Sequence, residues 1–387
     1  MNIPYAKVSL NGNELKYLKE VLKSGWLTTS KKAFEFEKQF AEYTGTRYAC
    51  AVNSCTAALH LAVESIGIKP GDKVLVPSLT FTSSAEILRY LGADPVFMDV
   101  EYGTCLVTPS ILRSALERNQ GISALILVHY GGQAAKMTTP EGEGIVDICR
   151  SFGIRLIEDA AHAFPTRFNN QYIGSFGDIT CFSFYANKTI TSGEGGMIVT
   201  NHEDIYRRVK LMRLHGINHD VWDRFTSTNS SWEYDIIAPG FKYNLSDLNA
   251  AIGLAQLERA EQMRYERQRC ASFYLENLKG IHSLDLPLCH GPMEDHSWHL
   301  FPVVLKPDAS VSRNEFIRKM ADNGIGTSVH YKPLHRMKYY KETYSINPVN
   351  FPNTEKIWQG TVSLPIYPDL RDSQLTFICK TIKKILL

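Results

Sequence analysis

Apolar residues recur along this chain with two different periods, and the change from one to the other lays out its architecture. Near the amino terminus the period is helical. NELKYLKEVLKSG places Leu15, Leu18 and Leu22 on one face and ends at Gly25. GWLTTSKKAFEFEKQFAEYTG follows, with Phe34, Phe36, Phe40 and Tyr43 as candidate core positions. From Lys73 onward short apolar runs appear, KVLVPS, DPVFMDV, SALILVHY and IRLIED, separated by helical stretches such as FTSSAEILRYLG. Strand-length runs without polar alternation suit strands buried on both faces, so the rhythm predicts a largely parallel sheet with helices on both sides.

The second half is less regular. Residues 215–243, HGINHDVWDRFTSTNSSWEYDIIAPGFKY, lack periodicity and are rich in turn formers and aromatics, which predicts a long functional loop. YNLSDLNAAIGLAQLERAEQM returns to helical spacing through Leu245, Leu248, Ile252 and Leu257, with Asn244 and Ser246 as natural N-terminal caps. A charged helix follows from about residue 260, then a strand in SWHLFPVVL, a helix in SRNEFIRKMADNGIG and a further strand in GTSVHYKPLH that runs into a loop. The predicted class is α/β, with a large domain over 1–258 and a smaller C-terminal α+β domain over 259–387. At 387 residues the chain is long enough for both.

Composition narrows the function. Hydrophobic content of 44% and charged content of 21% are those of a soluble globular protein. A formal net charge of +2 without a dense Lys/Arg tract argues against a nucleic-acid partner. No run approaches the ~20 apolar residues of a membrane span, and MNIPYAKVSLNGNELK lacks the apolar core of a signal peptide, so the expected location is cytoplasmic. The eight cysteines are scattered without a CxxC pair, which fits reduced thiols and gives no metal site; Cys289-His290 lacks further ligands at zinc-binding spacing.

The chemistry concentrates between Ile154 and Thr200. Ile154–Glu158 reads as a strand with Asp159 at its carboxyl end, the edge where open parallel sheets bind ligands. A second strand-like run, Ile179–Phe184, contains Ser183 and leads through Tyr185-Ala186-Asn187 to Lys188 and the glycine-rich Thr191–Gly196. A lysine beside a carboxylate is often only a weak salt bridge. Here both groups follow strands, and glycines allow close backbone approach to a ligand. Pyridoxal 5′-phosphate (PLP) needs such a pair: an amine to hold it as a Schiff base and an acid to keep its ring nitrogen protonated. A third requirement, a phosphate anchor, is met by AVNSCTAALHLAVESIG, where a strand turns into a helix through Asn53-Ser54-Cys55-Thr56 and offers unpaired N–H groups and hydroxyls. Hydroxyls at such a position are also ordinary caps, and His60 further along reads as a packing histidine.

EDAAHA followed by IGSFGDITCFSFYANKTITSGEGG resembles the core signature of the DegT/DnrJ family of PLP-dependent nucleotide-sugar aminotransferases, and the likeness extends over nearly the whole chain. It implies an aspartate-aminotransferase-like fold, with Lys188 as the Schiff-base lysine, Asp159 against the pyridine nitrogen, His162 beside the ring and Ser183 on the phosphate. Thr56 and the Cys55 backbone match the family's phosphate turn, although Cys55 replaces the usual glycine. Phe81 occupies the place of an aromatic that stacks on the cofactor. The resemblance further assigns nucleotide-sugar contacts to Tyr5 and the loop Trp26-Leu27-Thr28, and places His330 and Tyr331 of the closing H-Y-K-P segment near the substrate. Asn244 would reach the cofactor phosphate of a second subunit, which implies a homodimer with shared sites.

The resulting expectation is amination of a ketosugar carried on UDP, GDP or dTDP, with L-glutamate as donor and a lean to C4 of a 4-keto-6-deoxy sugar. Three rivals remain: a pyridoxamine-phosphate sugar dehydratase, a noncatalytic sugar-nucleotide-binding regulator, and a nicotinamide-dependent dehydrogenase. The first would carry histidine in place of Lys188, the second has no reason to keep Asp159, Ser183 and Lys188, and the third would want an N-terminal G-x-G-x-x-G.

Overall fold

The computed structural model describes residues 2–218 and 234–387, so the centre of the predicted 215–243 loop, residues 219–233, lies outside the described residues. The short apolar runs form strands: β1 (Tyr48–Val52), β2 (Lys73–Pro77), β3 (Asp94–Met98), β4 (Ile122–Val128) and β5 (Arg155–Asp159). A small hairpin of β6 (Arg167–Phe168) and β7 (Gln171–Tyr172) precedes β8 (Ile179–Ser183) and β9 (Gly196–Thr200). Seven of these make one sheet in the order β1-β9-β8-β5-β4-β2-β3. Every pairing is parallel except those of β9, which runs against both its neighbours.

Strand alternation divides the core in two. Leu75, Leu125, Leu127 and Leu156 face one layer, where Phe36 and Phe40 of the helix Lys31–Thr44 pack. Val74, Val76, Ile126 and Ile157 face the other, against the helix Cys55–Ser65. Successive side chains point to opposite faces of a strand, so runs apolar at every position are what a sheet covered on both sides requires. This is the α/β fold with a mostly parallel sheet expected from the sequence. A third apolar cluster is built by β10 (Leu284–Asp285), β11 (Phe301–Leu305) and β12 (Thr361–Leu364), an antiparallel sheet packed with the helices Ala260–Leu278, Arg313–Asp322 and Asp372–Leu386. Ile3 inserts into this cluster.

Two expectations fail. The apolar stripe of the first helix, Glu14–Ser24, does not face the core: Leu15 is 83% and Leu22 62% exposed. The helix instead buries Val21 and Glu14, whose carboxylate accepts the Gly12 N–H and a Gln256 amide proton. A satisfied buried carboxylate thus decides which side faces inward, against the hydrophobic pattern. GTSVHYKPLH is not a strand; only Ser328 bridges to Ser363. Its backbone is held at the end of β2, where the Leu334 N–H donates to the Ser78 carbonyl at 2.9 Å and Ser78 Oγ meets His335 Nδ1 at 2.6 Å. Pro333 supplies no ladder donor. Ser246 caps Asp247–Leu257 as expected, whereas Asn244 sits before the helix in a bridge to Val52.

Among the described residues no helix is long and apolar enough to cross a membrane. All eight cysteines are unpaired.

Candidate active site

A cleft of about 450 Å³ opens at the carboxyl edge of the sheet. Cys55, Thr56, Phe81, Asp159, His162, Ser183, Lys188, His330 and Tyr331 all border it, although they come from positions spread over most of the chain. Tyr5, Trp26, Leu27, Thr28 and Asn244 do not.

Asp159 ends β5 and is buried. Its Oδ2 accepts a hydrogen bond from Ser84 Oγ at 2.7 Å, and Oδ1 accepts the Ala161 N–H at 3.1 Å. Ser84 is itself fixed by Thr80 Oγ1 at 2.9 Å. Burial pushes the carboxyl pKa up, while the Ser84 and Ala161 hydrogen bonds and the nearby Lys188 pull it down. A cation laid against Asp159 would complete its ionisation, which is what a protonated ring nitrogen supplies.

Lys188 sits in the turn after β8, its N–H bonded to the Tyr185 carbonyl at 3.0 Å. Desolvation in the cleft lowers its pKa to about 8, opposed by the Asp159 carboxylate. An amine this near neutrality keeps a much larger unprotonated fraction than an ordinary lysine, and the unprotonated form is the one that attacks an aldehyde.

The far side of the cleft is built for an anion. Ser54 caps the helix Cys55–Ser65, its Oγ accepting the Ala57 N–H at 3.1 Å, so the dipole's positive end and the first-turn N–H groups of Cys55 and Thr56 face the cavity. Thr56 Oγ1 and Ser83 Oγ lie 2.7 Å apart at the same wall. Ser183 Oγ accepts the Tyr185 N–H at 3.3 Å and keeps its own proton for a ligand. Gly196 brings the lysine loop flush against this turn; a Cβ there would lie 2.6 Å from the Ser54 backbone. The residues present therefore fit PLP: an acid, an amine and an anion cradle share one cavity, and the buried Asn187 Oδ1 beside Lys188 lacks a partner that a bound group can provide.

His162 is buried and neutral, because burial and then the Lys188 charge hold its pKa well below the usual value. Its Nδ1 accepts the Gly131 N–H at 3.3 Å and its Nε2 lies 3.0 Å from the Tyr331 hydroxyl. Phe81 is 55% exposed at the mouth, its ring 6.0 Å from that of Tyr331. His330 turns away to Ser363 Oγ at 2.8 Å, and burial lowers its pKa to about 4. Tyr5 stacks behind His330 with ring centroids 5.7 Å apart, one layer removed from the cavity.

The remaining expected residues gather elsewhere, into one patch. Asn244 Nδ2 donates to Thr29 Oγ1 at 2.7 Å, the Asp247 N–H donates to the Leu27 carbonyl at 3.2 Å, and Trp26 Nε1 donates to the Thr29 carbonyl at 3.4 Å. Sequence reasoning missed Thr80, Ser83 and Ser84, although the hydroxyl-rich turn around Phe81 was visible. It also missed Tyr130 and His299, which pack on Tyr331 and His162 across long sequence separations and carry no local signal.

Residues 8–383 match the DegT/DnrJ/EryC1/StrS aminotransferase family. The chain belongs to it. This member of the DegT/DnrJ/EryC1/StrS family is 38% identical over 387 residues to the spore coat polysaccharide biosynthesis protein SpsC of Bacillus subtilis, a match that covers 99% of this chain and 97% of the relative. Among solved structures, PseC of Helicobacter pylori, an aminotransferase involved in the biosynthesis of pseudoaminic acid, superposes with a TM-score of 0.90 at 25% identity over 100% of this chain and 99% of that one. The PLP form of the putative sugar aminotransferase Spr1654 from Streptococcus pneumoniae gives 0.87 at 28% identity, covering 100% and 98%. The fold is that of the PLP-dependent aminotransferases, and the enzyme is a PLP-dependent sugar aminotransferase.

Proposed function

We propose that this enzyme moves the amino group of L-glutamate to C4 of a 4-keto-6-deoxy sugar carried on a nucleoside diphosphate. The observation that carries this is the meeting of Asp159 and Lys188 in one cleft beside an anion-binding helix terminus. When bound, PLP supplies an electron sink that lets the carbon bearing nitrogen lose and regain a proton. The chain's part is to place and protonate. Asp159, fixed by Ser84 and Ala161, holds positive charge on the ring nitrogen. Thr56, Ser183 and the N–H groups of Cys55 and Thr56 would hold the phosphate, and Phe81 and His162 would border the ring. Lys188 would anchor the cofactor and, as a free amine, would take and return the substrate proton at Nζ; a pKa of about 8 suits that task.

His330 and Tyr331 bound the space left for the sugar. The patch formed by Trp26, Leu27, Thr28 and Asn244 lies off its own cleft, which supports a homodimer in which each copy completes the other's site. The large unit is assigned to 1–258, the small one to 259–387, and the enzyme to the cytoplasm. The relative named for spore coat polysaccharide biosynthesis supports a polysaccharide as the product's destination.

The decisive experiment is the visible spectrum with added PLP before and after L-glutamate, followed by UDP-, GDP- and dTDP-linked 4-ketosugars. A yellow band that glutamate bleaches and one ketosugar restores supports the proposal. A band that glutamate leaves unchanged rejects glutamate as donor, and a bleached band that none of the 4-ketosugars restores, but the corresponding 3-ketosugars do when added next, rejects C4.

A further inference from the structure

We infer that His162 acts as a positioning residue that turns the Tyr331 hydroxyl into a one-way hydrogen-bond donor, aimed at an oxygen of the bound sugar, and that this pair helps select the substrate. The inference rests on the aminotransfer proposed above. It starts from a backbone group that has no choice. The Gly131 N–H can only donate, so His162 Nδ1, 3.3 Å away, must accept and carries no proton. The imidazole is neutral, so its single proton sits on Nε2. That nitrogen lies 3.0 Å from Tyr331 Oη and donates to it. Tyr331 therefore receives on that side and must spend its own proton elsewhere. Among the described residues its hydroxyl has no second partner, and the side chain borders the cleft.

Neither group can reverse the arrangement. Burial holds His162 well below its usual pKa and Tyr331 well above its own, so imidazolium and phenolate are both suppressed. Neighbouring rings fix the geometry: His299 lies against His162 with centroids 4.5 Å apart, and Tyr130 meets Tyr331 edge-on at 6.4 Å. Tyr130 in turn donates to the His330 carbonyl, which pins the backbone just before Tyr331. The titratable groups facing the pair are Lys188, Asp159, Tyr5, His299 and His330; the Lys188 charge opposes a proton on His162, and His330 is itself held neutral by burial.

A fixed, half-buried donor discriminates strongly, because a ligand without the matching acceptor leaves it unpaired; sites of this kind reject such analogues by up to ~10⁴-fold. The acceptor assigned to it is the hydroxyl next to the keto carbon of the sugar; a carboxylate of L-glutamate is the competing acceptor, and the glutamate half-reaction below distinguishes the two.

The test uses the PLP-loaded enzyme, its Tyr331→Phe variant, a ketosugar that the wild type aminates and the analogue lacking the adjacent hydroxyl. Nitrogen NMR of the wild type should show His162 protonated at Nε2 from pH 6 to 9; an Nδ1 proton would overturn the inference without any variant. Wild type should prefer the hydroxylated sugar by about 100-fold or more. In Tyr331→Phe the preference should collapse to within roughly threefold, with an unchanged spectrum of bound PLP and a glutamate half-reaction slowed less than about threefold. A preference that survives in the variant, or equal loss in both half-reactions, overturns the inference alone. A wild type that no amino donor bleaches defeats the aminotransfer proposal as well.

Discussion

The floor of the cleft and its outer wall are made differently. Asp159, Ser183 and Lys188 stand at or just beyond strand ends in the parallel sheet, and Asp159 is held by two direct hydrogen bonds with a third behind them. The wall that carries His330 and Tyr331 is irregular chain, held by Ser78, His335 and Ser363 and by ring contacts. The lesson is a division of labour. The groups proposed to serve every turnover are fixed by the sheet, and those proposed to meet the sugar sit on a segment whose path follows from contacts far away in sequence.

Removing floor groups should affect both half-reactions, and removing wall groups only the second. The largest effect belongs to Lys188→Ala: the yellow band is lost and amination falls by at least ~10⁴-fold in steady-state assays, with an unchanged circular dichroism spectrum. Wild-type turnover in that variant would erase the distinction between floor and wall. Asp159→Asn should keep PLP bound but slow both half-reactions by about 10²–10³-fold in stopped-flow traces, because a neutral amide no longer holds a charge on the ring nitrogen. Ser84→Ala removes one hydrogen bond from the buried carboxylate and should cost roughly tenfold in both halves. A loss confined to the sugar half would place Ser84 with the wall.

A pH series sharpens the same contrast. The pKa of Lys188 is lower folded than unfolded, so between about 8 and the ordinary lysine value the unfolded chain binds the extra proton. Stability from this group is therefore missing below pH 8 and is gained as pH rises through that window. PLP capture by the cofactor-free protein should accelerate up to about pH 8 and then level off, and Lys188→Met should raise the melting temperature at pH 7 more than at pH 10. A capture rate independent of pH would contradict a depressed lysine. The smallest effect is expected at Leu15→Ser on the first helix, within about 0.5 kcal/mol by denaturant titration if that face stays exposed; a larger loss would mean that a second copy covers it.

Legibility followed the same division. Asp159, Ser183 and Lys188 could be read because strand, turn and glycine signals lie within a few dozen residues of one another. The double-sided burial of β2, β4 and β5 was likewise written in their unbroken apolar runs. The first helix misled because Glu14, an apparent surface residue, is buried against Gln256, a partner the local pattern cannot announce. GTSVHYKPLH has the composition of a strand, but its conformation is settled by Ser78, 257 residues away from His335. The resemblance gave Trp26 to the nucleotide-sugar and Asn244 to the cofactor phosphate of a second subunit, whereas within one chain both meet at Thr29.

The glycine that closes the lysine loop against the phosphate turn has a practical consequence. With no room for even a methyl group between Gly196 and the Ser54 backbone, the two loops are halves of one mould. An engineer who wishes to graft the lysine loop of a relative with another sugar preference will have to transplant the Asn53–Thr56 turn in the same operation; moved singly, either loop would be cast against the wrong counterpart.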